Sequence, residues 1–177
     1  MRRQDRYTER TLMIGRLCLA LTLAIAPLSA ADPIRVLVFT TTDCPISNRY
    51  APELERLVAK FKGKTQFVLV YPVPTDSPEM IREHAKKFAY SIATLRDTDR
   101  KLVKQTGVTV TPEVAVMVGD SMVYRGRIDD RYIELGKERP QPTQRDLEST
   151  LDALIAGKRV AQRETRAVGC FLADLLK

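Results

Sequence analysis

This chain of 177 residues is poor in the side chains that most often build metal and acid–base sites, with one histidine, His84, and three cysteines, Cys18, Cys44 and Cys170. A lone histidine in a charged segment reads as a surface residue. Copper carriage would need Cys44, Cys170 and His84 or a methionine to meet, since it takes a cysteine pair with a further soft or imidazole ligand, so the expectation is no metal and no cofactor. The sequence lacks a basic cluster interleaved with aromatics, which argues against nucleic acid. It lacks repeats and low-complexity stretches, so its length suggests one ordinary globular domain with a real core. It also lacks an apolar run of the ~20 residues that a membrane-spanning helix needs.

What it does have at the start is a shorter apolar run, LCLALTLAIAPL, after the arginine-bearing stretch MRRQDRYTER and before the small residues Ser29, Ala30 and Ala31. This pattern predicts a secretory signal peptide over residues 1–31, cleaved after Ala30 or Ala31, the latter placing Ser29 at the small minus-three position. An uncleaved membrane anchor is the alternative. Lipid attachment at Cys18 is disfavoured because bulky Leu17 precedes it, and Arg2-Arg3 hints only weakly at twin-arginine export. Removing these residues takes away five basic and two acidic side chains, and the net charge falls from +7 to +4. The expected location is periplasmic or secreted, with membrane contact only through the export signal. There Cys44 and Cys170 are left as the two thiols of the mature chain, in a compartment where disulfides persist.

The richest stretch is VLVFTTTDCPISNRYAP, residues 36–52. A β-run ends in small polar residues, presents Cys44, and turns into a helix. Unpaired N–H groups and partial positive charge at a helix start stabilise a thiolate. Ser47, one turn on, can donate a hydrogen bond to it, whereas Asp43 opposes ionisation. The alternative is a small buried hydrophobic cysteine.

Period and punctuation predict strands at 34–41, 65–73, 92–96, 113–118 and 122–128, the last two joined by Gly119-Asp120. Helices are predicted from Ile46 to Phe61 with a kink at Pro52, from about Pro78 to Ala89, over 100–106, and from Thr143, as cap, to Ile155. The order β-α-β-α-β-α-β-β-α gives an α/β sandwich. Arg125, Arg127, Asp129, Asp130 and Arg131 read as a surface ion-pair cluster, or else a substrate-docking edge.

On these residues the chain resembles the thioredoxin superfamily. Cys44 opens a helix with Ala51-Pro52 seven and eight residues on, and Gly107-Val108, Thr111-Pro112 and VAVMVGDSMVYRG match the loop and hairpin that follow in that family. The segment from Tyr71 to Gly107 resembles the insertion of the redoxin branch, which includes peroxiredoxins and exported thiol-disulfide proteins. DCPISNRYAPE, TPE, YRGRIDDRY and the late Gly-Cys resemble a set of bacterial redoxin-domain proteins. The resemblance implies a thioredoxin-like fold over residues 32–157, a central mixed sheet flanked by helices with a redoxin-type insertion, followed by a C-terminal tail, 158–177, carrying Cys170.

Two departures shape the expected chemistry. Cys44-Pro45-Ile46-Ser47 has a hydroxyl where a dithiol motif has its second cysteine, so exchange inside the motif is excluded. Of the peroxiredoxin signature, Thr41 is present, but Leu37 stands at the proline position. The resemblance implies a thiol oxidoreductase or thiol-peroxidase-like enzyme with Cys44 as nucleophile, Ser47 and Thr41 beside it, and Thr111, Pro112 and Pro45 on the substrate side. Pro112 would be a cis-proline with Thr111 backbone groups free to pair an extended peptide. Cys170 is open between three roles: resolving thiol, half of a permanent bridge, or free. A bridge to Cys44 would close a ~125-residue loop and stabilise by several kcal/mol. Partners would be redox proteins, small thiols or peroxides. The contrasting expectation is a non-catalytic binding module stapled by Cys44–Cys170.

Overall fold

The computed structural model describes residues 32–175. The predicted signal segment, with Cys18, lies outside the described residues. Five strands form one mixed sheet in the order β3-β2-β1-β5-β6. Strand β1 (Ile34–Phe39) is central, parallel to β2 (Thr65–Tyr71) and antiparallel to β5 (Glu113–Val118). It is covered on both faces, which is why IRVLVF is a nearly unbroken apolar run rather than an alternating one. Val36 and Val38 point into one core, Leu37 and Phe39 into the other. Strand β3 (Ala93–Arg96) is the exposed parallel edge, and β6 (Ser121–Gly126) closes the other edge as a hairpin with β5.

The first core takes in Leu54 and Leu57 of α2 (Ala51–Lys60), Ile81 of α3 (Pro78–Lys87) and Leu147 and Leu151 of α5 (Asp146–Ile155). Arg56 and Lys60 of α2 pair with Glu148 of α5, and Arg145 pairs with Glu53, so ion pairs at the solvent edge tie the two helices. The second core, smaller, packs Val108 and Leu172 with Leu102 and Val103 of α4 (Lys101–Thr106).

Three local outcomes differ from the pattern in the sequence, each for a physical reason. The helix predicted from Ile46 to Phe61 is two: α1 (Pro45–Arg49) and α2, which restarts at Ala51. Pro52 sits in the first turn of α2, where its missing N–H has no intrahelical role. Thr143 does not cap α5; its hydroxyl donates to Asp130 at 2.5 Å and the helix starts at Asp146. Asp129 and Asp130 are not surface groups but are 2% and 5% exposed, because each has donors inside the fold. Tyr50 donates to Asp129 at 2.6 Å, and Thr143 and Gln144 N–H groups donate to Asp130 at 2.7 and 2.9 Å. The arginines follow suit: Arg127 pairs with Asp146 of α5, and Arg125 reaches the Gly107 carbonyl at 2.5 Å.

The remaining short strands form two separate two-stranded ladders. Strand β4 (Val110–Thr111) pairs antiparallel with β9 (Cys170–Phe171), and β7 (Tyr132–Glu134) pairs with β8 (Lys137–Glu138). Helix α6 (Leu172–Leu175) follows β9. Residues 163–172 of the segment predicted as a tail are therefore bound along the fold. Thr165 seats against Gly126, where any Cβ would meet Thr165 atoms at 2.2–2.8 Å, and its hydroxyl bonds Tyr124 at 2.7 Å. Gly169 seats against Thr111, and Leu172 is 3% exposed in the second core.

Candidate active site

The end of β1 is held before it reaches the cysteine. Thr40 N–H donates to Val70 O at 2.9 Å, and the Thr42 hydroxyl donates to Asp76 at 2.6 Å. Asn48 of α1 donates to Thr42 O at 3.1 Å while its own side-chain oxygen accepts from His84 Nε2–H at 2.7 Å. The other ring nitrogen, Nδ1, accepts from the Tyr71 hydroxyl at 2.9 Å. Both nitrogens of His84 are thus committed, and burial lowers its pKa, which keeps the ring neutral for this chain of bonds. His84 is 5% exposed, not a surface residue, and serves to fix α3 to the loop that presents Cys44.

Cys44 is the N-cap of α1. Its sulfur accepts from Ser47 N–H at 3.5 Å, and Pro45 at the first helical position needs no N–H partner. The thiol also faces the Thr111 carbonyl, to which it donates at 3.1 Å, and Cys170 Sγ, 3.1 Å away. Both cysteines are thiols, with Cys44 1% exposed and Cys170 half-buried. Burial opposes ionisation of Cys44, but the nearby Ser47 hydroxyl and N–H, then Cys170 and the Thr111 hydroxyl, would stabilise the thiolate by more, and its pKa lies below the ordinary value. The Thr111 carbonyl is the one contact here that favours the protonated form. The hydroxyls of Ser47 and Thr111 are buried with no hydrogen bond of good geometry among the described residues. Their protons are therefore free to turn to the sulfur when it ionises. Cys170 is pushed up to about 12 by burial, then by its hydrogen bond to Cys44 and the charge there. Of the two, Cys44 is therefore the sulfur that ionises more readily and Cys170 the one that keeps its proton.

The other residues singled out in the sequence fall around this pair. Thr41 is buried and reaches Cys44 through its backbone, its carbonyl accepting Cys44 N–H at 3.4 Å. The Thr111–Pro112 peptide is cis. Thr111 is fully buried and pairs with Cys170 across the β4–β9 ladder, so the edge left open for an extended peptide in the sequence reading is occupied by the chain's own residues. Pro45 and Cys170 share a recess with Ile46, Arg49, Tyr132, Leu135, Gly136 and Glu138, about 430 Å³ in volume.

Gly169 is the site residue that composition and spacing did not mark. A Cβ there would stand 2.1 Å from Thr111 O and 2.6 Å from Thr111 C, so only glycine lets β9 lie this close to β4. The signal available in the sequence was the glycine directly before Cys170. Glu113, directly after Pro112, was likewise unmarked. Its carboxylate accepts from Thr109 N–H at 2.7 Å and Val110 N–H at 3.3 Å, holding the loop that carries Thr111, and burial raises its pKa.

Comparison with known proteins agrees with this fold. The model of a family described as thioredoxin-like matches residues 32–123. An uncharacterized conserved protein from Geobacillus kaustophilus superposes with a TM-score of 0.70 at 27% identity, over 80% of this chain and 77% of its own. A hypothetical protein from Sinorhizobium meliloti superposes with a TM-score of 0.69 at 23% identity, over 80% of each chain. No curated protein matches the chain.

Proposed function

The chain belongs to the thioredoxin-like family, and from that premise we propose that it is an exported thiol oxidoreductase whose redox centre is the pair Cys44–Cys170. Cys44 is the nucleophile and Cys170 its resolving thiol. One observation carries the reading: the two sulfurs stand 3.1 Å apart, on a helix start and on a strand brought there from the far end of the chain. The missing second cysteine of the motif is thereby replaced from outside it.

The chemistry follows from the ionisation of the pair. A peroxide gives up its terminal oxygen to the Cys44 thiolate, leaving as alcohol or water once protonated, and Cys44 becomes a sulfenic acid. The Cys170 sulfur then attacks the Cys44 sulfur, the S–O bond breaks, water leaves with the Cys170 proton, and the disulfide closes. If the oxidant is a disulfide, one cysteine of the pair takes one of its sulfurs and releases the other as thiolate, and the second cysteine displaces the remaining one. Thiols of redox partner proteins or small thiols return the two electrons. Thr41, Ser47 and Thr111 hold and stabilise the Cys44 sulfur, and Pro112 and Pro45 flank it. Residues 1–31 are the export signal, 32–157 the thioredoxin-like domain and 158–177 the tail that supplies Cys170.

Replacing Cys44 by Ser tests this: thiol-exchange and peroxide-consuming activity should vanish while the melting temperature stays close to that of the parent. A variant that keeps its turnover refutes it. The second reading, a binding module with a permanent Cys44–Cys170 staple, draws on the burial of Cys44 and the docked tail. It requires that loss of either cysteine lower the melting temperature alike.

A further inference from the structure

The two sulfurs differ in access. Cys44 is 1% exposed, enclosed by Thr111, Ser47 and Cys170, whereas Cys170 is half-buried and forms part of the wall of the recess between α1 and the β7–β8 hairpin. We propose that when the Cys44–Cys170 disulfide is reduced, the incoming thiol attacks Cys170 from this recess and Cys44 is the leaving group. The proposal rests on the reading above, that the pair forms a reversible disulfide. It adds which sulfur meets the partner.

In the first step the partner thiolate bonds to Cys170 Sγ, the Cys44–Cys170 bond breaks, and its electron pair stays on Cys44. In the second step another thiol of the same partner attacks the partner sulfur of the mixed disulfide. Cys170 leaves and takes up a proton, and the partner departs as a disulfide. The protein gains two electrons and the partner, a dithiol, loses two.

Two features of the site favour this direction. Exchange is faster when the departing sulfur is the better stabilised thiolate. Cys44 leaves into a ready set of donors, Ser47 N–H at 3.5 Å and the hydroxyls of Ser47 and Thr111, which have no other partner among the described residues. Attack at Cys44 would instead expel Cys170, whose burial opposes its ionisation and which has only its own backbone N–H as a donor among the described residues. Approach favours it too. Ile46, Tyr132 and Leu135 give the recess apolar walls, and Arg49, paired with Glu138 at 3.0 Å, stands at its rim. A cysteine with an apolar neighbour in a peptide or protein suits this opening. Leu135, 57% exposed at the hairpin turn, would lie against it.

The test uses the protein as isolated from its producing cells, oxidised to the disulfide and mixed with glutathione as the thiol probe. Samples quenched in acid at successive times are mapped by peptide mass spectrometry. Glutathione should be found on Cys170, with Cys44 as free thiol, in about tenfold or greater excess over the opposite adduct. An excess on Cys44 overturns the proposal while leaving the redox reading intact. A disulfide that glutathione never opens in the folded protein overturns both. In a second arm, Leu135→Trp, which narrows the recess at an exposed position, should slow adduct formation about tenfold without moving the melting temperature. An unchanged rate removes the recess as the route of approach.

Discussion

Gly169→Ala should disconnect the redox pair without touching either cysteine. The new Cβ would lie 2.1 Å from Thr111 O and 2.6 Å from Thr111 C, and both atoms are backbone of a buried loop. Restoring ordinary contact at ~3.5 Å requires β9 to retreat by about 1.4 Å. Overpacking of this kind costs about 1–3 kcal/mol. If the strand lets go instead, it loses the bond from Leu172 N–H to Thr109 O, worth about 1 kcal/mol, and the burial of Leu172, worth about 2 kcal/mol. The two routes converge on a loss of about 2–3 kcal/mol, or roughly 5–10 °C in a domain of this size. The more telling consequence is chemical. The sulfurs move out of the 3.1 Å contact, so disulfide closure after a peroxide pulse should slow at least about tenfold, a 1.4 kcal/mol effect, while Cys44 becomes more open to alkylation. Thermal denaturation and timed alkylation with mass mapping read both. A variant that melts within about 1 °C of the parent and closes its disulfide as fast would refute the argument that the glycine sets the register of the pair.

Other outcomes follow from the same geometry. Cys170→Ala removes a hydrogen bond that lowers the Cys44 pKa, so the rate of Cys44 alkylation against pH should shift upward in the variant; an unshifted or lower profile would contradict the assistance of Cys170 to Cys44 ionisation. Asp97→Ala should destabilise by about 1–2 kcal/mol in denaturant titration, because its carboxylate caps the Lys101, Leu102 and Val103 N–H groups at 2.9–3.1 Å, and a neutral result would show that water replaces it. Asp130 is pulled to about 2 because three hydrogen bonds from Thr143 and Gln144, with Arg139 beside it, outweigh its burial. Its contribution is present above the ordinary aspartate value and lost as pH falls through about 2. Asp130→Asn should therefore lower stability at neutral pH and flatten the acid limb of the stability curve; an unchanged limb would refute the assignment.

The sheet was legible because its signals are local. IRVLVF and TQFVLVY are long enough and apolar enough to be strands buried on both faces, and the hairpin is marked by Gly119-Asp120. The start of α3 was legible because Ser77 and Pro78 state their cap chemistry in the sequence. Cys44 was legible as a thiol at a strand-to-helix turn, and its Ala51-Pro52 spacing carried the resemblance.

What was not legible depends on contacts between distant residues. His84 looked like a surface group because its helix is charged, and only the fold brings Asn48 and Tyr71 to its two nitrogens. Asp129 and Asp130 looked exposed because the donors that bury them, Tyr50 and Thr143, lie far off in sequence or beyond a loop. The docking of residues 164–172 was hidden for the same reason. Two glycines and one leucine, Gly126, Gly169 and Leu172, decide it, and none of them forms a periodic pattern. Spacing alone therefore left Cys170 open between three roles, whereas the β4–β9 ladder puts it opposite Thr111 and beside Cys44.

The most direct test of the account is non-reducing peptide mass spectrometry on the folded protein, with alkylation before and after a brief peroxide pulse, following Cys44 and Cys170 separately. The account predicts that Cys44 starts as a thiol, joins Cys170 in a disulfide after the pulse, and is returned by mild reductant without unfolding. A bridge that is complete at the outset and resists reductant until the protein unfolds would contradict it and make the pair a structural staple.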